Sequence, residues 1–355
     1  MANVAPDQDQ EKASRRPPAN GKDLPLSLEL EALGEEGGGP VTVLLESKSM
    51  RAAYNLASQV APADAPVLIQ GESGTGKELF AKLLHTLSNR REKPFIPVNC
   101  GVLKGELFAD KFFGHEPGAF TGASRVQKGS FELAGDGTLF LDEVGEIPPQ
   151  NQVDFLRVLE QRTFRRLGGE KEMAFGARIV AATNRDLQEQ VRRGEFRADL
   201  FYRLAVVPLQ LPPLRLRHED IIPLAQHFLA MFCHRYHKLM PSLEPTTLRA
   251  MTAYGWPGNV RELKNLIERL VLVHPRQTIQ AGDLPPDMRL GQAPAAVPAE
   301  PTGFGLGQAV RQAEIRAIHR ALAQAQGSKA AAAELLGISP RTLRHKSRLL
   351  GLKLR

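Results

Sequence analysis

Short apolar runs alternate with amphipathic stretches from about Val41 to Arg289. Val67-Leu68-Ile69, Leu139-Phe140-Leu141 and Ile179-Val180-Ala181-Ala182 read as buried parallel strands, too short for helices and apolar throughout. Leu79–Leu87 and Val153–Leu159 carry their apolar residues at helical spacing. The alternation predicts an α/β fold, a parallel sheet covered by helices, over residues 40–217. From about His218 to Val273 the patterns are helical only, which predicts a helical lid subdomain over 218–290. Gly291–Pro301 is rich in Ala and Pro, so 291–306 reads as a linker. Residues 1–39 are polar and punctuated by Gly and Pro, the composition of a disordered arm.

The last segment, 307–355, has the pattern of a small all-α unit. Ala309–Ala325 sets Ile315, Ile318 and Leu322 on one helix face. Lys329–Leu336 follows, then a turn at Gly337-Ile338 and a helix opened by Ser339 as cap and Pro340 as first residue. Leu343 and Leu350 would face inward, and Arg341, Thr342, Arg344, His345 and Arg348 outward.

Composition narrows the class. The 355 residues are 42% hydrophobic and 24% charged, ordinary for a soluble multidomain chain. No run approaches the roughly 18 apolar residues of a membrane span, and the N-terminus lacks the apolar centre of a secretory signal. Cys100 and Cys233 lie far apart without metal-ligand spacing, which suggests reduced thiols in a cytoplasmic protein; His234 and His237 read as solvated. Between Gly307 and Arg355 ten Lys/Arg face two Asp/Glu, an excess larger than the whole chain's net charge of +7. A basic module on a near-neutral body points to a polyanion, with DNA the first candidate for Lys329, Arg341, Thr342, Arg344, His345 and Arg348.

Candidate chemistry starts at Gly71–Glu78, GESGTGKE, between a strand and a helix. Gly71, Gly74 and Gly76 let the backbone of Glu72, Ser73 and Thr75 wrap phosphates, and Lys77 would reach the β- and γ-phosphates of ATP. Glu78 replaces the usual hydroxyl, so Mg²⁺ must lean on other groups. Asp142 and Glu143 end an apolar strand; Asp142 would hold Mg²⁺ and Glu143 would polarise the attacking water. Thr183 and Asn184 end another strand and could sense the γ-phosphate. Arg197 and Arg203 read from spacing alone as surface arginines, though such a residue can reach a neighbour's nucleotide. Arg261, after a Pro-Gly turn, could reach the nucleotide from the lid or form an intrachain salt bridge.

These residues together resemble the AAA+ activators of sigma-54 RNA polymerase, the NtrC-type enhancer-binding proteins, from about Leu44 through Leu290. GESGTGKE at 71–78, FGHEPGAFTGA at 113–123, GTLFLDEVGEIP at 137–148, AATNRDL at 181–187, FRADLFYRL at 196–204, LPPLRLRHEDI at 211–221 and YGWPGNVRELKN at 254–265 occur in the family's order. The resemblance implies that Arg197 and Arg203 act in trans, that Arg261 is a lid sensor and that Asn99 restrains Glu143. It also implies a hexamer. Gly118, Ala119, Phe120, Thr121, Gly122 and Ala123 form the loop that contacts sigma-54 in this family. Pro117 replaces a residue that is often basic, which predicts a stiffer stem, and Gly101–Gly114 is less regular than usual. Gly307–Arg355 is similar to the Fis-type helix-turn-helix of these activators, with Ser347 at a usually apolar position.

The resemblance makes the expected function an ATPase that binds upstream DNA and remodels the sigma-54 holoenzyme. A DNA-binding repressor or sigma-70 regulator with a scaffold-only core, and a general AAA+ unfoldase or loader, are the competing readings. Neither uses the 118–123 loop. With no receiver domain before the core, control is expected from a separate regulatory protein, from expression level or from the arm.

Overall fold

The computed structural model describes residues 27–30, 41–102, 105–273, 277–289, 318, 321, 325 and 328–349. The chain divides into two compact units, Met1–Ala293 and Pro294–Arg355.

The first unit is organised by five parallel strands: β3 (Val67–Gln70), β4 (Phe95–Asn99), β7 (Thr138–Asp142), β10 (Arg178–Thr183) and β11 (Val207–Gln210). Their order is β11-β3-β10-β7-β4, which places the first of them between the last two. Side chains alternate across a strand, so each continuous apolar run feeds both faces of the sheet. Leu139 and Leu141 join Leu68, Ile179 and Ala181 in one core; Phe140 joins Val67, Ile69, Val180 and Ala182 in the other.

Helices α1 (Lys48–Val60) and α2 (Lys77–Thr86) cover the second face through Met50, Tyr54, Phe80 and Leu84. The Ser47 hydroxyl caps α1 by accepting from Met50 N–H. The other face carries α3 (Glu106–Phe113), α4 (Ser130–Ala134), α5 (Pro149–Gln161), α6 (Leu187–Arg192) and α7 (Ala198–Leu204). Its centre is aromatic, with the Phe112 ring 4.7 Å from those of both Phe108 and Phe155. Each such buried ring contributes roughly 1.5–3 kcal/mol. Two short antiparallel pairs project from this layer. They are β5 (Gly114–His115) with β6 (Gln127–Lys128), and β8 (Thr163–Arg165) with β9 (Glu172–Ala174).

The lid comprises α8 (His218–Arg235), α9 (Pro245–Ala253), α10 (Asn259–Val273) and α11 (Pro286–Arg289) around the fully buried Trp256. Trp256 Nε1–H donates to Met251 O at 2.9 Å, so the indole is buried without losing its hydrogen bond.

Two expectations need correction. The helical-only reading of the lid fails at β12 (Ser242–Leu243), which pairs in parallel with β13 (Thr278–Ile279). A two-residue strand has too few positions to show a period. The disordered arm fails at β1 (Ser27–Leu30), which pairs antiparallel with β2 (Val41–Leu44); a local Leu-Glu-Leu alternation sits inside the polar composition. The rest of the arm and the linker lie outside the described residues.

In the second unit the helices Lys329–Leu335 and Pro340–Leu349 pack around Ile318, Ala321, Ala332, Ala333 and Leu343. Ser328 and Ser339 cap them, the Ser339 hydroxyl accepting from Thr342 N–H at 3.1 Å. Leu350 and most of Ala309–Ala325 lie outside the described residues. Ser347 is 1% exposed and its hydroxyl finds no partner among the described residues, which costs about 1–3 kcal/mol. Ser347→Ala should therefore slow amide exchange across 328–349 in the full chain about fivefold, a gain near 1 kcal/mol. Faster exchange would show that the hydroxyl contributes to the fold.

Candidate nucleotide site and contact loop

The C-terminal ends of β3, β4, β7 and β10 gather the candidate residues along one edge, as a parallel sheet does for its ligands. Gly71–Gly76 turns from β3 into α2, whose first residue is Lys77. Lys77 Nζ donates to Gly71 O (2.9 Å) and Glu72 O (3.0 Å), which folds the side chain back over its loop. Burial pushes this ammonium below the ordinary lysine range, and the nearby Asp142 carboxylate opposes the shift. Glu78 points along the helix to Lys82 at 3.1 Å.

The loop is tied to the lid and to the segment leading into it. Arg215 binds the Glu72 carboxylate in bidentate fashion at 2.6 and 2.7 Å. Asn259 Nδ2 donates to Ser73 O and Glu72 Oε2, while its Oδ1 accepts from Leu214 N–H. Val260 N–H donates to Gly74 O, and Arg261 Nη1 to Ser73 Oγ at 2.9 Å. Arg217, buried beneath, donates to Thr75 O and lies 3.9 Å from Asp220, which accepts from Ser47 N–H and Oγ–H. Burial pushes Asp220 up and Arg217 down, although a guanidinium stays protonated at any working pH. Arg215, Arg217 and Asn259 were not singled out by the sequence, although all three lie inside its LPPLRLR and WPGNVRE motifs.

Asp142 ends β7 in register with Asn99 on β4. Burial raises its carboxyl above the ordinary range, and the Glu143 N–H, donating to Oδ1 at 3.0 Å, opposes the shift. Glu143 adopts a left-handed φ of 54°, a strained conformation for a residue with a Cβ. Its carboxylate fills the space beside Gly101 where a side chain would otherwise sit. The Asn99 amide oxygen accepts from Gly101 N–H at 2.7 Å, so Asn99 and Glu143 converge on the same glycine. Thr183 is buried and accepts from Arg185 N–H, while Asn184 is exposed. Arg185 pairs with Glu146, linking the turns that follow the two strands.

Arg197 and Arg203 lie apart from these groups. Arg197 precedes α7 and pairs with Asp199 at 2.7 Å; Arg203 donates to Leu159 O. Both are exposed.

The segment Gly118–Ala123 protrudes between β5 and β6. Its base is pinched where Gly114 and Gly129 touch backbone to backbone, a spacing that no Cβ tolerates on either side. Gly118 N–H donates to Ala123 O at 2.8 Å and Ala123 N–H to Phe120 O, closing the tip into a tight turn. Phe120, Thr121 and Gly122 are exposed, and Ala123 is buried with its side chain directed inward. The β8–β9 turn braces the stem: Arg166 bridges Glu116 and Glu132, and Ala119 rests on Gly168.

On the second unit Lys329, Arg341, Thr342 and Arg344 are exposed, and Leu343 is buried. The Thr342 hydroxyl lies 2.8 Å from that of Ser339. The side chains of His345 and Arg348 lie outside the described residues.

A glycine-rich loop and an acid-tipped strand on a sheet of this order, closed by a helical lid, define an AAA+ P-loop protein. Family models match as "Sigma-54 interaction domain" over 43–210, "AAA+ ATPase lid domain" over 215–301 and "Bacterial regulatory protein, Fis family" over 309–348. The chain is 45% identical over 312 residues to Regulatory protein AtoC of Escherichia coli, spanning 87% of this chain and 68% of that one. It is 41% identical to Transcriptional regulatory protein ZraR of Salmonella typhimurium, spanning 94% and 72%. The NtrX structure from Brucella abortus in complex with ADP is similar at a TM-score of 0.66 and 31% identity, spanning 87% and 70%. The chain belongs to the sigma-54-dependent transcriptional activators. No helix among the described residues is long and apolar enough to cross a membrane.

Gly74 has φ +78° and faces the Gly258 carbonyl so closely that a Cβ would overlap it. Gly74→Ala should weaken ATP binding about tenfold or more, because strain and overlap both fall on the loop. Titration calorimetry checks this, and an unaltered affinity would show that loop and lid separate freely.

Proposed function

We propose that the protein hydrolyses ATP in a hexameric ring, binds upstream DNA and remodels the closed complex of sigma-54 RNA polymerase through Gly118–Ala123. The observation that carries this reading is an aromatic-tipped, glycine-hinged loop in the same compact unit as a phosphate loop tied to its lid.

In this reading Gly71–Gly76 and the first turn of α2 supply N–H groups to the phosphates, and Lys77 moves from its loop carbonyls to the β- and γ-phosphates. Glu78, turned to Lys82, leaves the metal to other groups. Asp142 fits Mg²⁺ as a hard carboxylate, the remaining ligands being phosphate oxygens and water; the ion would neutralise phosphate charge. Glu143 orients water for attack on the γ-phosphorus and takes its proton as the bond to ADP breaks. Asn99 holds Glu143 in check through their shared position at Gly101, and Thr183 and Asn184 report the γ-phosphate. Arg261 completes the pocket from the lid. Arg197 and Arg203 do not hydrogen-bond to Gly71–Glu78 of their own chain, which suits action on a neighbour's nucleotide.

Phe120 and Thr121 would meet sigma-54, and Lys329, Arg341, Thr342 and Arg344, with His345 and Arg348, would contact the major groove and phosphates. A protein with these partners would work in the cytoplasm.

Lys77→Ala should weaken ATP binding roughly ten- to hundredfold by calorimetry, the value of a charge-assisted contact; unchanged affinity removes its assignment. Thr121→Ala should abolish open-complex formation on a sigma-54 promoter while ATP turnover stays within about twofold. Loss of both activities, or of neither, overturns the division of labour.

A further inference from the structure

The stem of the contact loop is gripped by Arg166 through Glu116 and by Gly168 through Ala119. The tip makes a different contact. The Phe120 ring lies 4.9 Å from the His115 imidazole at 69°, an edge-to-face arrangement. His115 is well fixed for this purpose. Its backbone pairs with Gln127 in β6 and bridges to Leu167, and its side chain is almost wholly buried. Its Nδ1 lies 2.5 Å from Asp110 Oδ1. A carboxylate only accepts, so Nδ1 carries the proton and the ring plane is set by Asp110. Asp110 stands on α3, in the segment after Cys100 whose sequence is irregular.

We propose that Asp110 and His115 are positioning residues for the contact loop, parking Phe120 against the domain and setting how often it is presented to a partner. The proposal rests on the reading that Gly118–Ala123 engages sigma-54. Phe120 is 36% exposed where it is parked, so leaving His115 uncovers further apolar surface, which a partner that takes the ring would cover again. Gly118 and Gly122 flank it with φ of +84° and +103°, and no atom would obstruct a Cβ at either, so the tip has room to turn. A single edge-to-face contact then shifts the parked-to-released ratio by about two- to tenfold. That scale suits a contact that must yield in each nucleotide cycle. Asp110 never touches Phe120; it acts by denying His115 its other ring orientations.

Hydrogen exchange of 116–124 in the full, nucleotide-free chain tests this, with ATP turnover and sigma-54 affinity measured alongside. Asp110→Ala and His115→Ala should each speed exchange of the tip about two- to tenfold. Nucleotide-free affinity for sigma-54 should rise by a similar factor, with turnover within about twofold. Asp110→Asn, which can still accept from Nδ1, should fall between wild type and Asp110→Ala. A merely structural role for Asp110 would not produce this graded rescue together with tighter partner binding. Unchanged tip exchange in both alanine variants overturns the proposal, even where wild type binds sigma-54 normally. Faster tip exchange in a protein that binds no sigma-54, with or without an ATP transition-state analogue, would keep the parking contact and sink the functional reading. Should Asp110→Ala also speed exchange over 106–113, Phe120→Leu decides instead: it removes the ring contact without touching α3, and unchanged tip exchange there is fatal.

Discussion

A fully buried amide must bond with nearly all its donors and acceptors or cost the fold several kcal/mol. Asn259 meets that demand by joining three segments: the phosphate loop at Glu72 and Ser73, the approach to the lid at Leu214, and α10, which it opens. Its left-handed φ of 52° is tolerable for asparagine and is held by those same bonds. The phosphate loop therefore has its outer edge formed by the lid. A nucleotide that draws in the loop must draw the first turn of α10 with it, and Arg261 travels on that turn. Asn259 thus couples loop to lid alongside Arg215, the Val260–Gly74 bond and the Arg261–Ser73 bond.

The opposite wall of the site works by juxtaposition. Asp142, Asn99 and Thr183 end neighbouring strands of a parallel sheet, so their spacing is inherited from the strand pairing. Glu143 stands just beyond that regular register in a strained conformation, and the Glu146–Arg185 pair spans the turns on either side. The rigid part of this wall holds the Asp142 carboxylate in place. The strained part carries Glu143, the residue proposed to respond to what is bound.

Legibility from sequence followed the range of the interaction. Strands such as Leu139–Leu141 were readable because apolar runs of that length have few alternatives, and the Ser339 cap because a cap needs only three neighbouring residues. The phosphate loop and the Asp142-Glu143 pair were readable as local motifs. Asn259 and Arg215 were not, since their partners lie 187 and 143 residues away and no local pattern announces a contact of that span. Which way each loop residue faces is not legible from the hexapeptide either: the turn exposes Phe120 and directs Ala123 inward. The pairing of Ser242–Leu243 with Thr278–Ile279 is shorter than any periodicity that could reveal it.

The pinch between Gly114 and Gly129 has an implication for how the contact loop can change over generations. The two ends are locked together by β5–β6 pairing and by backbone contact, which fixes the mounting of the loop whatever its length. Closing a longer loop on such a clamp costs little extra entropy, about 0.6 kcal/mol for each doubling. A longer tip would therefore leave the mounting intact, whereas a single methyl group added at either glycine would break it.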